Sequence, residues 1–183
     1  MNQPSRIKPL YDEDSIASRN EAMARDIAAV QPRNLLVIAV LKGSFMFAAD
    51  LIRALHRTGL APQVEFIQLS SYQEALVSSG KVTILKDIDS DVVGRDVLLL
   101  DDILESGRTL AFAKDLMVAR GAKRVLCAVL LEKPDKRAVS IAPDFVGFTC
   151  PDLFVVGYGM DAAHSFRQLP YIGYIDGQGS ETP

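Results

Sequence analysis

Short apolar runs alternate with amphipathic stretches along this chain. Three of these runs contain no polar residue: 35–41, 97–100 and 125–131. Such runs are typical of strands buried on both faces of a parallel sheet. Apolar residues at helical spacing predict three helices, over 12–30, 45–57 and 109–120. The alternation predicts an α/β fold in which a mostly parallel central sheet is flanked by helices.

The remaining segments predict smaller elements around that sheet. Residues 7–11 are expected to form an edge strand, 64–69 and 82–85 the two arms of a long hairpin, and 145–148 and 154–157 the last strands. In the first helix the predicted apolar stripe is Ile16, Met23, Ile27 and Val30, with Asp12 or Asp14 as the N-cap. Within the hairpin, residues 73–81 are small or polar and non-periodic, which predicts a mobile loop. That loop is either a lid that excludes water or a tip without function.

Length and composition predict one globular domain over residues 1–183, with a flexible loop at about 70–82 and a disordered tail at about 176–183. Apolar residues make up 49% and charged residues 23% of the chain. The net charge is −3 and no long basic stripe occurs, so a nucleic acid is not an expected partner. Two cysteines exclude a disulfide scaffold, and no apolar run approaches membrane-spanning length. We therefore expect a cytoplasmic protein with no membrane partner.

The stretch 97–110 combines a strand, two acids and a small polar turn. Asp101 and Asp102 follow the apolar run, at the strand end where ligands bind in open α/β sheets. Residues 105–109 then place backbone N–H groups and two hydroxyls at a helix N-terminus, which is a ready anion site. A phosphorylated sugar accounts for both features, because its hydroxyls donate to the acids while its phosphate binds the turn. The alternative is an ordinary strand–loop–helix whose Ser106 and Thr109 only cap the helix.

The end of another apolar run repeats this logic. Lys42 and Gly43 form a small loop between the predicted strand 35–41 and the helix that follows. Such a loop exposes backbone N–H groups and adds one cation. Alone, it would be a plain turn with a solvated lysine; beside the 97–110 stretch, it predicts a second anion loop.

The 97–110 stretch resembles the phosphoribosyl-pyrophosphate motif of the type I phosphoribosyltransferases. This resemblance implies that Asp101 and Asp102 contact ribose hydroxyls or a Mg²⁺ ion. It also implies that Glu105, Ser106, Gly107, Arg108 and Thr109 hold the 5′-phosphate. Leu41, Lys42 and Gly43 resemble the pyrophosphate loop of the purine-specific members, in which the peptide before the lysine is often cis. The resemblance adds a small hood and a flexible hairpin loop to the expected fold.

Further segments resemble the hypoxanthine(-guanine) branch of the same family, and together the matches span about 7–175. By this resemblance Lys133 hydrogen-bonds the exocyclic oxygen of a 6-oxopurine, and Phe154 stacks on the base. The backbone of Val155 meets the base edge. Asp161 helps to hold metal and pyrophosphate, so that the implied Mg²⁺ ligands are Asp101, Asp102 and Asp161. The remaining implied contacts to phosphoribosyl pyrophosphate are Ser71, Tyr72 and Arg167.

The implied reaction transfers ribosyl 5-phosphate from phosphoribosyl pyrophosphate to hypoxanthine or guanine, in a homodimer or homotetramer. Glu105 would accept the proton, although the family usually has Asp there. Hypoxanthine, guanine and xanthine remain open as substrates, and the rival class is a phosphoribosyltransferase-like regulator that binds RNA. Of the other polar groups, we expect His164 on the surface and Asp135, Lys136 and Arg137 on a solvated face.

Overall fold

The computed structural model describes residues 7–71 and 82–175. The described strands are β1 (Ile7–Tyr11), β2 (Leu36–Leu41), β3 (Gln63–Ser71), β4 (Val82–Lys86), β5 (Asp96–Leu104), β6 (Arg124–Glu132), β7 (Phe145–Thr149), β8 (Val155–Val156) and β9 (Ile172–Ile175). The α-helices are α1 (Glu13–Ala29), α2 (Phe45–Arg57) and α3 (Arg108–Ala119), and Pro134–Lys136 forms a single 3₁₀ turn.

Six strands form the central sheet, in the order β4-β3-β2-β5-β6-β7. The ladders from β3 through β2, β5 and β6 to β7 are parallel, and β4 pairs with β3 antiparallel. The mostly parallel sheet and the hairpin formed by its third and fourth strands are therefore confirmed. Alternation along the buried strands sends side chains to opposite faces, so each face needs its own cover.

Two hydrophobic clusters supply that cover. On one face Val37 and Leu98 pack in the cluster that contains α1 and α2 residues. On the other face Ile38 and Leu99 pack in the cluster that contains Leu110 and other α3 residues. The predicted flanking helices are confirmed, and Asp12 caps α1 by accepting a hydrogen bond from the Ser15 N–H at 2.8 Å.

One residue of the predicted α1 stripe does not belong to it. Ile16, Met23 and Ile27 are buried, but Val30 is 40% exposed. The helix ends at Ala29, and Val30 is its C-cap residue. The last apolar position therefore lies past the end of the helical periodicity rather than on its buried face.

A second, three-stranded sheet of order β1-β9-β8 forms the hood. Both of its ladders are antiparallel, and β1 is an edge strand as expected. The predicted strand over 154–157 is reduced to Val155 and Val156, and β9 was not predicted at all. Strands this short depend on pairing with a distant segment, which leaves little local signal.

The acids of β5 lie inside a strand rather than after it. The ladder with β2 ends at the pair Ala39 and Leu100, whereas the ladder with β6 continues to Leu104. The expectation that the strand ends before Asp101 was therefore wrong by several residues. Because β5 loses one neighbour at Leu100, the sheet opens where its acidic side chains begin.

Some predictions fall outside the described residues. Tyr72, most of the loop at 70–82 and the tail at 176–183 belong to this group. Within residues 7–71 and 82–175, no helix has both the length and the hydropathy of a membrane span.

Candidate active site

Two adjoining cavities lie at the carboxyl ends of the parallel strands. The larger, of about 470 Å³, lies between the strand ends and the hood, and we call it the hood cavity. The smaller, of about 330 Å³, lies over the loop that begins α3, and we call it the loop cavity. Leu41, Lys42, Gly43, Asp102 and Glu105 line both. The two predicted anion loops therefore face one continuous site.

Most of the predicted site residues line this site. The loop cavity adds Asp101, Ser106, Gly107 and Thr109, and the hood cavity adds Lys133, Phe154, Val155, Asp161 and Arg167. Arg108 lines neither cavity, and Ser71 is the last residue of β3. Sequence reasoning missed the cavity residues Gln68, Leu69, Ser70, Leu85, Ile103 and Met160. Gln68, Leu69 and Ser70 could have been found, because they lie at the end of the strand predicted over 64–69, which pairs parallel with β2 in the structure.

The loop at 105–109 has the geometry of an anion site. Gly107 is the N-cap of α3 with φ of 80°, a left-handed conformation that glycine adopts readily. A Cβ at Gly107 would lie 2.7 Å from Cγ2 of Ile141, so the position also needs a residue without a side chain. Gly107 has no side-chain acceptor, and the N–H of Arg108 donates only over a long distance, 3.4 Å, to Oγ of Ser106. The first turn of α3 therefore keeps N–H groups that can bind an external anion.

Asp101 and Asp102 place two carboxyl groups side by side in the loop cavity. Asp101 is only 7% exposed, and the Asp102 N–H donates to its Oδ1 at 3.0 Å. Burial raises the pKa of both carboxyl groups, and the neighbouring charge of Asp102 raises the pKa of Asp101 further. Such a pair is stabilised in its charged form by a cation or by hydroxyl donors from a ligand.

The anion loop at 41–43 lies directly against this acidic pair. A Cβ at Gly43 would lie 1.7 Å from Oδ2 of Asp102, so any larger residue would displace the Asp102 carboxylate. The Leu41–Lys42 peptide is cis, as the family resemblance implies. Ser44 ends the loop by donating its hydroxyl to the carbonyl of Val40 at 2.6 Å.

Lys133 and Glu105 form an ion pair on the wall of the hood cavity. The Lys133 ammonium donates to Oε1 of Glu105, and it lies 4.0 Å from Oδ1 of Asp152. The Lys133 side chain is 6% exposed, whereas that of Glu105 is 48% exposed. The predicted proton acceptor and the predicted purine-binding cation are therefore in direct contact.

The hood contributes an exposed aromatic ring and a second ion pair. Phe154 is 45% exposed, so its predicted role in stacking is compatible with its position and core packing is not. Arg167 pairs with Oδ1 of Asp161 at 2.7 Å and donates to the carbonyl of Gly159 at 2.6 Å. A Cβ at Gly159 would lie 2.2 Å from the carbonyl oxygen of Gly43, so the hood packs closely on the anion loop at 41–43.

The predicted metal ligands are divided between the two cavities. Asp101 lines the loop cavity, Asp161 lines the hood cavity, and Asp102 lines both. In the described part of the chain no group of three or more His, Cys, Asp and Glu side chains is placed to hold a metal ion. The donor chemistry nevertheless fits Mg²⁺, which takes one or two protein carboxylates and completes its shell with water and substrate oxygens.

Two residues outside the predicted site differ in outcome. The His164 side chain is 90% exposed, which confirms its assignment to the surface. Arg137 was expected on a solvated face, but its side chain is only 18% exposed. That expectation was wrong because its guanidinium donates to backbone carbonyls at the start of the 105–109 loop.

Comparison with known protein families identifies the class to which this fold and site belong. Residues 8–163 match the model of the phosphoribosyl transferase domain. That range covers most of the chain and every residue that lines the two cavities except Arg167. The chain belongs to the phosphoribosyltransferase family.

Individual relatives narrow the class. The chain is 43% identical over 169 residues to the hypoxanthine-guanine phosphoribosyltransferase of Bacillus subtilis, covering 92% of each chain. It is 44% identical over 169 residues to the bifunctional protein TilS/HprT of Listeria innocua, covering 92% of this chain but only 26% of that protein. A solved structure of hypoxanthine phosphoribosyl transferase from Trypanosoma cruzi superposes with a TM-score of 0.88 at 35% identity, covering 96% of this chain and 94% of the other.

Proposed function

We propose that this chain transfers ribosyl 5-phosphate from phosphoribosyl pyrophosphate to a 6-oxopurine, hypoxanthine or guanine, and releases pyrophosphate. The products would be IMP or GMP, so the reaction is a step of purine salvage. One observation carries the proposal: the acidic pair, the 105–109 loop and Lys133 surround one continuous site. Its cavities offer acceptors for sugar hydroxyls, donors for phosphates and a cation for a purine oxygen.

Each part of phosphoribosyl pyrophosphate has a proposed partner. Asp101 and Asp102 accept hydrogen bonds from the ribose hydroxyls, and residues 105–109 bind the 5′-phosphate. The 41–43 loop and Arg167 bind the pyrophosphate, whose negative charge they offset. The contacts of Ser71 and Tyr72 stay predictions from the family resemblance.

The purine binds on the hood side of the site. The exposed ring of Phe154 supports a stacking role, and the Lys133 ammonium supports recognition of an exocyclic oxygen. Val155 contributes its backbone to the base edge, and Asp161 holds Arg167 beside the pyrophosphate. A 6-amino group cannot accept from the Lys133 ammonium, so adenine is disfavoured.

Glu105 is the proposed general base. Its carboxylate lines both cavities and therefore lies between the ribose side and the purine side. There it can take the proton that the purine nitrogen loses as the glycosidic bond forms. The enzyme supplies no nucleophile; it holds the two reactants in line and stabilises the leaving group.

We assign Mg²⁺ to the acidic pair, with Asp161 as a further carboxylate near the pyrophosphate. Bound there, Mg²⁺ would neutralise charge on the phosphates of the substrate.

We also propose that residues 1–183 form one catalytic domain, because both core clusters cover faces of the same sheet. Assembly into a homodimer or homotetramer stays a prediction, for which light scattering is the direct test.

A steady-state panel tests this function. Hypoxanthine, guanine, xanthine and adenine are each supplied with phosphoribosyl pyrophosphate and Mg²⁺, and pyrophosphate release is measured. We expect turnover with hypoxanthine or guanine and little with adenine. Two relatives that this chain covers over 92% and 96% of their length are named as phosphoribosyltransferases, so the RNA-binding alternative is not favoured. Absence of turnover with all four bases, together with RNA retention at moderate salt, would contradict the proposal.

A further inference from the structure

Arg137 contacts the start of the 105–109 loop, which we call the phosphate loop. Its Nη1 donates to the carbonyl of Leu104 at 2.7 Å and to the carbonyl of Glu105 at 2.8 Å. The next two residues continue the pattern, because the N–H groups of Ala138 and Val139 donate to the carbonyl of Ser106 at 2.9 and 3.2 Å. Three successive carbonyls, at the end of β5 and the start of the loop, are therefore held by residues 137–139, which we call the brace.

The direction of these hydrogen bonds determines where the loop N–H groups point. In a planar trans peptide the C=O group of one residue and the N–H group of the next point in opposite directions. Since the carbonyls of residues 104–106 face the brace, the N–H groups of residues 105–107 point away from it. Glu105, Ser106 and Gly107 all line the loop cavity. The brace thus orients donors that an anion in the cavity can use.

Arginine suits this position because one planar guanidinium offers several donors in a fixed arrangement. The second nitrogen, Nη2, donates to Oε1 of Glu132 at 2.6 Å, and Nη1 also lies 3.4 Å from the carbonyl of Lys133. Glu132 is the last residue of β6, and Lys133 follows it directly. Arg137 therefore joins the strand end that carries Lys133 to the loop that carries Glu105.

The packing behind the loop supports the same role. Cγ2 of Val139 would lie 3.2 Å from a Cβ built on Gly107, so the brace contacts the N-cap of α3 as well. Glycine at 107 gives the loop conformational freedom that must be removed before its amides can act together. Contacts from 137–139 remove that freedom in the fold itself, before any ligand binds.

We propose that Arg137 is a positioning residue that preorganises the backbone amides of the phosphate loop for a ribose 5-phosphate group. The proposal deepens the function proposed above and rests on it for the identity of the ligand. Preorganisation increases affinity because the loop is already ordered and loses little conformational entropy when the ligand binds. Arg137 itself does not line either cavity, so it acts through the loop and not by contact with substrate.

Calorimetry with ribose 5-phosphate tests this role without requiring turnover. Arg137→Met removes the donors while keeping most of the aliphatic stem, and we expect binding about tenfold weaker than in the unsubstituted protein. Arg137→Lys keeps the charge but not the fork, and we expect an intermediate loss. Lys136→Met is the matched control. Lys136 pairs with Asp152 at 2.7 Å, and we expect its substitution to leave the affinity for ribose 5-phosphate unchanged.

Kinetics and hydrogen exchange distinguish positioning from general stability. We expect KM for phosphoribosyl pyrophosphate to rise in Arg137→Met while KM for the purine stays constant, and exchange to accelerate in residues 104–110. If Arg137→Met does not fold, Arg137→Lys is used for the test. The proposal would be overturned if Arg137→Lys bound ribose 5-phosphate as tightly as the unsubstituted protein does. Equal weakening by Lys136→Met would overturn it too.

The two proposals fail in different ways. Turnover in the unsubstituted protein with unchanged ribose 5-phosphate affinity in both Arg137 variants would remove the brace role and leave the function standing. Ribose 5-phosphate binding that depends on Arg137, without turnover of any purine, would keep the brace and remove the proposed reaction.

Discussion

Strand β5 begins with a buried aspartate, Asp96, and buries a second one, Asp101, just after its ladder with β2 ends; we call these two places the Asp96 end and the Asp101 end. Within residues 7–71 and 82–175, Asp96 has a cationic partner and Asp101 does not. At the first end, Asp96 is 4% exposed and accepts from the Arg33 N–H at 2.7 Å and from Nη2 of Arg124 at 2.6 Å. Burial alone would raise its pKa. The backbone donor and the guanidinium outweigh that effect and hold the pKa of Asp96 below its ordinary value.

At the other end of the strand, Asp101 is buried to a similar degree in a different electrostatic environment. Across residues 7–71 and 82–175, no lysine or arginine lies within ion-pair distance of it. Burial and the adjacent Asp102 raise the pKa of Asp101 well above its ordinary value. The same strand therefore contains one carboxylate that the fold stabilises and one that it does not.

This difference assigns Asp96 to the stability of the fold and Asp101 to the binding of a ligand. The hydrogen bonds of Asp96 connect β5 to the segment before β2 and to the start of β6, so they contribute to the fold. The charge of Asp101 is costly in the ligand-free protein, and a ligand that brings hydroxyl donors or Mg²⁺ recovers that cost on binding. A group that destabilises the free protein in this way is a candidate for function.

The largest expected effect concerns the chemistry at the Asp101 end. We expect Glu105→Gln to lower kcat by about 100-fold or more, because the amide cannot accept the proton. KM for phosphoribosyl pyrophosphate should change little, since the loop amides remain in place. Steady-state kinetics provide the measurement, and Glu105→Asp, the usual residue of the family, is the matched control that should stay active. Undiminished turnover in Glu105→Gln would remove Glu105 from the mechanism.

The next effect concerns the Asp96 end. We expect Asp96→Asn to reduce the free energy of unfolding by about 2 kcal/mol, because one acceptor and the charge opposite Arg124 are lost. For a chain of this length that corresponds to a drop of about 4–8 °C in Tm. Activity below the unfolding transition should be unchanged. If Asp96→Asn instead impaired catalysis without affecting Tm, the division between the two strand ends would be wrong.

The smallest expected effect is the pH dependence of the free energy of unfolding, to which Asp96 and Asp101 contribute with opposite signs. The lowered pKa of Asp96 gives stability that is present above the unfolded pKa of 3.8 and is lost as pH falls through the folded value. The raised pKa of Asp101 gives stability that is present below 3.8 and is lost as pH rises through the folded value.

Asp101→Asn should therefore raise Tm of the ligand-free protein at neutral pH, with the gain fading under acid conditions. Thermal melts across pH in a chelating buffer, with Asp96→Asn as the reciprocal control, measure both slopes. A lower Tm for Asp101→Asn at neutral pH would contradict the assigned pKa shift.

Local sequence patterns were sufficient for the elements that bury whole apolar runs. The central strands and the three α-helices found in residues 7–71 and 82–175 were predicted because periodicity and caps are local signals. The hood was only partly predictable, since β9 is four residues long and depends on pairing with β1 and β8. Val30 shows the same limit of local patterns at a helix end. The apolar spacing continues to Val30, but the helical conformation ends at Ala29.

Predictions for the site differed in the same way. Residues at strand ends were predictable because parallel strands bring their carboxyl ends to one edge. The contact between Lys133 and Glu105 was not, although both residues were singled out, because their proximity depends on the β5–β6 register. Arg137 was misassigned because a charged run gives no sign that one member turns inward to backbone carbonyls.

Calorimetric titration with phosphoribosyl pyrophosphate and Mg²⁺ tests the central claim most directly. The unsubstituted protein and Asp96→Asn should bind with the same affinity, once both are shown to be folded. The double variant Asp101→Asn, Asp102→Asn should remain folded and bind at least tenfold more weakly, about 1.4 kcal/mol. Equal affinity in the double variant, or loss of binding in Asp96→Asn alone, would contradict the assignment of the ligand to this end of β5.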